Sequence, residues 1–374
     1  MKLLIITQKV NEDDPILGFF CRWIEEFARH FELVTVICLE EGRHELPSNV
    51  RVLSLGKTAL SKNKVAFICR FYGYIWRERK NYDAVFVHMN PIYVVLGGWF
   101  WKLSGKKVAL WYTHKAVDLK LRVAERFVDV IFTAAEESFT LKTAKRLVVG
   151  HGIDVDKYAN QPRTQVIGVE PISIISVGRI TPIKDPMTLV EAARILKERW
   201  NLKEDGKKES LSQKFIVTFI GSPVTAVDKE YFLEIKALVD KYGLGSIVSF
   251  AGDVKPADMP AKYAASDISV NLTPTGGLDK VVLESMASGM PVLTSNAAFK
   301  EYFEAAEKGL AARLIFREGD AEDLAGKVMA LFGRDKDGIS VDVPALGKAL
   351  RQTAKEKADV SALIDRMSRI IVAL

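Results

Sequence analysis

Apolar runs of strand length alternate with stretches of helical periodicity along the whole chain. In the first half, Lys2–Thr7, Leu33–Cys38, Val50–Ser54, Ala84–His88, Lys107–Tyr112, Val130–Ala134 and Arg146–Val149 read as strands. Phe19–His30 and Lys62–Arg79, between them, place apolar residues on one helical face. The second half repeats the rhythm, with strands predicted at Ile172–Val177, Ile216–Ile220, Ile247–Ala251, Ile268–Asn271 and Pro291–Thr294. Helices are predicted at Met187–Trp200, Lys229–Lys241, Pro256–Ala264 and Lys280–Ala287, and Pro344–Leu374 is helical throughout. Such alternation predicts an α/β protein with two doubly wound parallel sheets joined by right-handed crossovers. The seam falls near residues 154–171, where Pro, Gly and polar residues cluster. Lys203–Lys214 reads as a solvent loop inside the second domain. In proteins of this class the ligand sits at the carboxyl ends of the strands, here expected in a cleft between the domains.

Composition narrows the class. A length of 374 residues fits two domains, and 19 Phe, 10 Tyr and 6 Trp supply ample burial, which excludes disorder. Cys21, Cys38 and Cys69 are scattered, so neither a disulfide scaffold nor a Cys-rich metal site is expected, and a reducing cytoplasm fits. The opening MKLLIITQKVNEDD carries acids where a secretory signal needs an apolar stretch, so no export signal is expected. The uncharged run Ala84–Trp101 is interrupted by His88, Asn90 and Pro91 and reads as a core strand and buried helix, not a membrane span. Net charge is uneven: residues 57–126 hold 14 Lys and Arg against 4 Asp and Glu. That asymmetry marks a face for an anionic partner, or a solvated surface with chance clustering.

Two segments carry candidate chemistry. After Ile172–Val177, Gly178 permits a sharp turn, and Arg179 and Lys184 precede a helix with Pro186 in its first turn. Two cations beside a helix N-terminus suit a diphosphate, at about 1.5–3 kcal/mol per charge-assisted bond. The alternative is two loop charges in water. In the second segment, Asn271–Thr275 closes a strand, Gly276 and Gly277 allow close backbone approach, and a helix starts near Asp279 and Lys280. Glu284 lies among apolar neighbours on that helix and needs a partner: a ribose diol, a Lys, or a backbone cap.

The stretches VGRITPIKDPMTLVEAA and VVLESMASGMPVLTS resemble the donor-binding signatures of the GT-B-fold retaining glycosyltransferases of family 4, glycosyl transferases group 1. The likeness covers most of residues 172–310, and HGIDVDKY (His151–Tyr158) resembles the family's segment before the interdomain linker. It implies a GT-B fold of two Rossmann-like domains facing a central cleft: an acceptor-side domain, 1–160, and a nucleotide-sugar donor domain, 161–354. The last helix, about 355–374, is a candidate to pack back on the first domain. It further implies that Arg179 and Lys184 bind the donor diphosphate and Glu284 its ribose, with Gly276, Gly277, Asp279 and Lys280 beside the donor.

One position departs from the family pattern, which has two glutamates separated by seven residues; the first would stand at Gly276. Asp279 either replaces that carboxylate or caps the helix, and backbone N–H groups of Gly276–Asp279 are a third way to hold sugar hydroxyls. Gly18, at the start of FFCRWIEEFARHF, is a candidate for the donor phosphate or the acceptor hydroxyl. The acids before it, Glu12, Asp13 and Asp14, suit sugar hydroxyls or a plain solvated loop. Among the histidines, His114 closes VALWYTH, where the resemblance implies a residue facing the donor sugar; by position alone a structural role is the commoner one. His88 is a weaker candidate, and His151 is read as shaping the domain exit. No metal-ligand spacing stands out, so no metal and no cofactor beyond the nucleotide-sugar substrate are expected.

The basic stretch interleaves Arg with aromatics in Ala66–Lys80 and adds Gly97–Lys107. It suits an anionic membrane surface or a phosphorylated lipid or polysaccharide acceptor, or else a core face with its arginines in water. No nucleic-acid-reading module is evident. The expectation is a cytoplasmic, metal-independent retaining glycosyltransferase, peripheral on the inner face of the cell membrane. It would carry sugar from a nucleoside diphosphate to a saccharide or lipid-linked acceptor in cell-surface glycan synthesis. Its rivals are a non-catalytic sugar-nucleotide-binding subunit, motivated by Gly276, and a sugar-nucleotide epimerase of the same fold. A dinucleotide oxidoreductase is disfavoured, because no GxGxxG follows the first strand.

Overall fold

A computed structural model of the chain describes residues 1–57, 63–159, 171–200, 214–332 and 341–374. It divides into two compact units: Met1–Asp154 with Gly276–Leu278 and Ala358–Leu374, and Val155–Thr275 with Asp279–Lys357. Most of the expected loop Lys203–Lys214, and the middle of the expected seam, lie outside the described residues. The seam's opening is not irregular: Val155–Ala159 is a short helix.

The first unit holds a seven-stranded sheet of β1 (Lys2–Val10), β2 (Leu33–Glu41), β3 (Val50–Ser54), β4 (Ala84–His88), β5 (Lys107–Trp111), β6 (Val130–Thr133) and β7 (Arg146–Val148). Their order is β3-β2-β1-β4-β5-β6-β7, every pair parallel. Parallel strands covered on both faces need near-continuous apolar runs. Leu3–Ile6 and the whole of β4 are accordingly buried.

The second unit holds five parallel strands: β8 (Ile172–Val177), β9 (Phe215–Ile220), β10 (Val248–Gly252), β11 (Ile268–Asn271) and β12 (Val292–Thr294). The order β10-β9-β8-β11-β12 reverses direction between β8 and β11, which opens a crevice at their carboxyl ends. The helix Lys280–Ala287 is buried from Val281 onward. It ends at Gly289 (φ +68°), whose neighbour Met290 donates its N–H to Ser285 O at 3.1 Å. Glycine takes this left-handed turn without the clash a Cβ would bring. Arg351 satisfies the helix's last carbonyls, donating to Ala287 O and Ser288 O at 3.1 and 2.8 Å.

The final segment differs from the single helical run expected over Pro344–Leu374. Two helices form, Val343–Lys357 and Val360–Ala373. Asp359 caps the second by accepting from Ala362 N at 3.0 Å, which stops the first from continuing. The break also pairs with Ile153, which donates to Ala358 O and accepts from Val360 N, both at 2.9 Å. Val360–Ala373 packs on Phe19–His30 in the first unit, where Gly152 leaves no room for a Cβ between Val360 and Leu363.

Gly221 follows β9 at φ +129°, and a Cβ there would lie 2.1 Å from Gly178 O. Both the backbone conformation and this close approach require glycine. Gly221→Ala is expected to cost the second unit about 1–3 kcal/mol. Urea unfolding followed by circular dichroism, against the wild type, measures it.

Candidate functional site

The site in the second unit grows from two strand ends. After β8, Gly178 donates its N–H to Ile220 O at 2.9 Å, and Ile180 donates to Ser222 O at 3.2 Å. The turn is therefore tied to the end of β9. Arg179, between these bonds, is exposed and pairs with no carboxylate among the described residues. A 3₁₀ turn, Pro182–Lys184, then carries Lys184 back towards β11, and Pro186 begins the following helix. Asp185 joins the two in a left-handed conformation (φ +42°), its carboxylate accepting from Thr188 Oγ1 at 2.6 Å.

After β11, Asn271, Thr273 and Asp279 meet Lys184. Lys184 Nζ lies 2.5 Å from Asp279 Oδ2 and donates to Thr273 Oγ1 at 2.9 Å. The same Asp279 oxygen accepts from Thr273 Oγ1 at 2.9 Å and from Asn271 Nδ2 at 3.1 Å. Thr294, at the end of β12, orients the amide by donating to Asn271 Oδ1 at 3.1 Å. Burial pushes the Asp279 carboxyl up, but the Lys184 ammonium and the hydroxyl and amide donors outweigh it and hold the group at about 2. Asp279 is also the N-cap of Lys280–Ala287, accepting from Val281 N, so the capping alternative is realised. A crevice lined by Gly178, Arg179, Lys184, Asn271 and Thr273 opens at the switch point between β8 and β11.

Glu284, one turn into that helix, is buried and accepts from Tyr263 OH at 2.9 Å. Its other oxygen is 3.9 Å from Lys280 Nζ, one helical turn back. Burial, then the Glu284 carboxylate, pushes the Tyr263 hydroxyl well above its ordinary range, so it stays a neutral donor. Asn271, Thr273 and Tyr263 are contacts that sequence reasoning missed. The first two stand in the strand-end polar cluster NLT, a usable signal, whereas nothing in PAKYAAS points Tyr263 at Glu284.

Other anticipated residues are placed as follows. Gly276 and Gly277 group with the first unit, and neither takes a positive φ. Gly18 is the N-cap residue of Phe19–His30, and a Cβ on it would lie 2.6 Å from both Glu12 O and Asp14 O. Its small size thus serves the chain's own turn. Asp14 pairs with Lys9 at 2.9 Å and Asp13 with Arg43 at 2.9 Å. His114 stands in the loop after β5, not at its end, exposed, with Nδ1 accepting from Ala116 N at 3.0 Å. His88 is buried and stacked on Phe20 at 4.0 Å; burial, then His151, lowers its pKa to about 3, so it remains neutral. Among the described residues, no cluster of His, Cys, Asp or Glu is arranged to hold a metal ion, and no helix is long and apolar enough to cross a membrane.

Known proteins share this architecture. Anabaena HepE, solved in complex with UDP and glucose, aligns over 100% of both chains with a TM-score of 0.73 at 16% identity. Sucrose-phosphate synthase from Thermosynechococcus elongatus aligns over 99% of this chain and 98% of its own, with a TM-score of 0.74 at 17% identity. The fold is that of the GT-B glycosyltransferases. Residues 158–337, which contain Arg179, Lys184 and Glu284, match the family described as Glycosyl transferases group 1. The D-inositol 3-phosphate glycosyltransferase of Geodermatophilus obscurus is 28% identical over 196 residues, 51% of this chain and 41% of its own length. The putative colanic acid biosynthesis glycosyltransferase WcaL of Escherichia coli is 25% identical over 196 residues, 50% of this chain and 42% of its own. The matched region thus spans less than half the length of these relatives.

Asp279 gives the site an acid limit. Its folded pKa of about 2 lies below the ordinary 3.8, so the unfolded chain binds its proton more readily. Its contribution is complete above the ordinary value and is lost as pH falls through about 2. Between about pH 6 and pH 2, the wild type is expected to lose about 2 kcal/mol more than Asp279→Asn. Urea unfolding of both proteins across that range is the measurement.

Proposed function

We propose that this chain is a glycosyltransferase that moves a sugar from a nucleoside-diphosphate donor to a saccharide or lipid-linked acceptor, with retention of configuration. The observation that carries the reading is the pair Arg179 and Lys184 at the switch point of a group 1 domain, with Glu284 held one helix away. The UDP and glucose in the HepE complex support a nucleoside diphosphate as the donor's leaving group. Retention and membership of family 4 rest on the two donor-site motifs.

As the glycosidic bond stretches, negative charge builds on the leaving diphosphate, and donors fixed in advance lower the barrier most. Arg179 offers a fork of N–H donors. Lys184 has three N–H donors, of which Asp279 and Thr273 engage two, leaving one for a phosphate oxygen. Asp279 sets the direction of the ammonium while the diphosphate takes the remaining valence. Glu284 accepts from the ribose hydroxyls on the oxygen that Tyr263 does not occupy. His114 orients the sugar.

Gly276 favours a second reading, a sugar-nucleotide-binding subunit without turnover, since the carboxylate expected beside the transferred sugar is missing there. Thermal unfolding in the presence of UDP, GDP and ADP, followed by turnover of the matching sugar nucleotides, distinguishes the two. One diphosphate at about 100 times its Kd should add about 2.7 kcal/mol to the folded state. Lys184→Ala should weaken that effect and lower kcat/KM by at least about tenfold. Stabilisation without turnover would favour the binding subunit, and no response to any nucleotide would overturn the donor site.

A further inference from the structure

We propose that the outer face of the helices Lys64–Arg77 and Pro91–Leu103 is a docking surface for an anionic lipid bilayer. The inference is independent of the donor site, since every residue involved lies in the first unit. Pro91–Leu103 has one charge in its sequence, Lys102, and is apolar around its whole circumference, a pattern normal for a helix buried on all sides. Tyr93, Val94, Gly97, Gly98 and Trp101 are buried, Gly98 against Phe127. Ile92, Trp99 and Leu103 remain 38%, 48% and 82% exposed, with the half-buried Leu96 at the same helical spacing. Lys64–Arg77 adds Val65, Ile68 and Trp76, 69%, 40% and 60% exposed, with the half-buried Tyr72 between them at the same spacing.

The stripes adjoin. Tyr72 OH donates to Leu96 O at 3.0 Å, and the Trp76 and Phe100 rings are 5.8 Å apart. Exposed apolar residues scattered singly need no explanation, but a contiguous band of this kind marks an interaction surface.

Its charge identifies the occupant. Arg77, Lys80 and Lys102 are exposed at the rim, and the Arg79 guanidinium lies 4.5 Å from the centroid of the Trp76 ring. The intervening acid, Glu78, is turned inward and paired with Arg51 and Arg77. Rings and aliphatic side chains ringed by cations match the interfacial zone of a bilayer, with the cations at phosphate depth. A second protein surface would have to bury the same cations against carboxylates, and this face offers none to a second copy of the chain.

Flotation of the full-length protein with vesicles of phosphatidylcholine alone, and of phosphatidylcholine with phosphatidylglycerol, tests the proposal. Binding is expected with phosphatidylglycerol, weakening as salt is raised. The double variant Trp99→Ser with Leu103→Ser should reduce it at least about tenfold, as should Lys80→Glu with Lys102→Glu. Both pairs are exposed, so the fold should survive, with circular dichroism as the check. A polarity-sensitive fluorophore on Cys69, exposed within the helix Lys64–Arg77, should shift to the blue on the same vesicles. Burial removes Cys21 and Cys38 from labelling, their thiols pushed up to about 11 and about 12. Equal binding to both vesicle types, or none to either, would overturn the proposal. So would lipid-free self-association abolished by Trp99→Ser with Leu103→Ser, which would make this face a contact between copies. Nucleotide-dependent stabilisation of the same variants reads the donor site separately.

Discussion

A single carboxylate oxygen organises the strand-end site of the second unit. Asp279 Oδ2 accepts from Lys184, Thr273 and Asn271, and these groups come from three places: the turn after β8, the loop after β11, and β11 itself. A buried carboxylate satisfied this fully costs little to keep charged, whereas the same carboxylate left alone would be expensive. The arrangement therefore holds or fails as a set. It also fixes where the helix Lys280–Ala287 begins, because Asp279 caps it. Through that helix the position of Glu284 follows. Charge, strand ends and helix start are thus one mechanical unit, built at the only place in a five-stranded parallel sheet where the crossovers diverge.

The same feature distinguishes this chain from a plain phosphate cradle. A site of cations alone would draw anions from solution without discrimination. Here the positive charge of Lys184 is balanced by Asp279, and Arg179 stands exposed to solvent. An anion bound there would be selected by directed bonds more than by bulk charge.

Much of the fold was legible, because parallel strands buried on both faces leave unmistakable apolar runs. β3, β4, β8 and β11 and the helices Phe19–His30 and Lys280–Ala287 have the limits read from the sequence. The break at Ala358–Asp359 was not legible, since Ala358 and Asp359 carry no Gly or Pro and the apolar period runs on past them. The Asp359 cap and the pairing of this point with Ile153, more than 200 residues earlier, together explain it. At the site, the places of Arg179 and Lys184 after β8 and of Glu284 on a buried helix were legible from residue type and position. Their partners were not: that Tyr263 meets Glu284, and that Asp279 meets Lys184 as well as capping its helix, depends on tertiary packing. Gly18 carries a related ambiguity, because a glycine required by its own turn looks in sequence like one kept for a ligand.

The return of the chain to its first unit has a consequence for how the protein is made. Trp23 donates to Gly152 O, and Arg366, on the last helix, donates to Val149 O, so both ends of the first unit close on the same short segment. Val360–Ala373 covers Phe19–His30, yet it leaves the ribosome only after the whole of the second unit. Throughout that interval the earlier helix presents an apolar strip that its proper cover has not reached. The order of synthesis and the order of burial are opposed, and this is the stage of the protein's life at which a chaperone would have the most to hold.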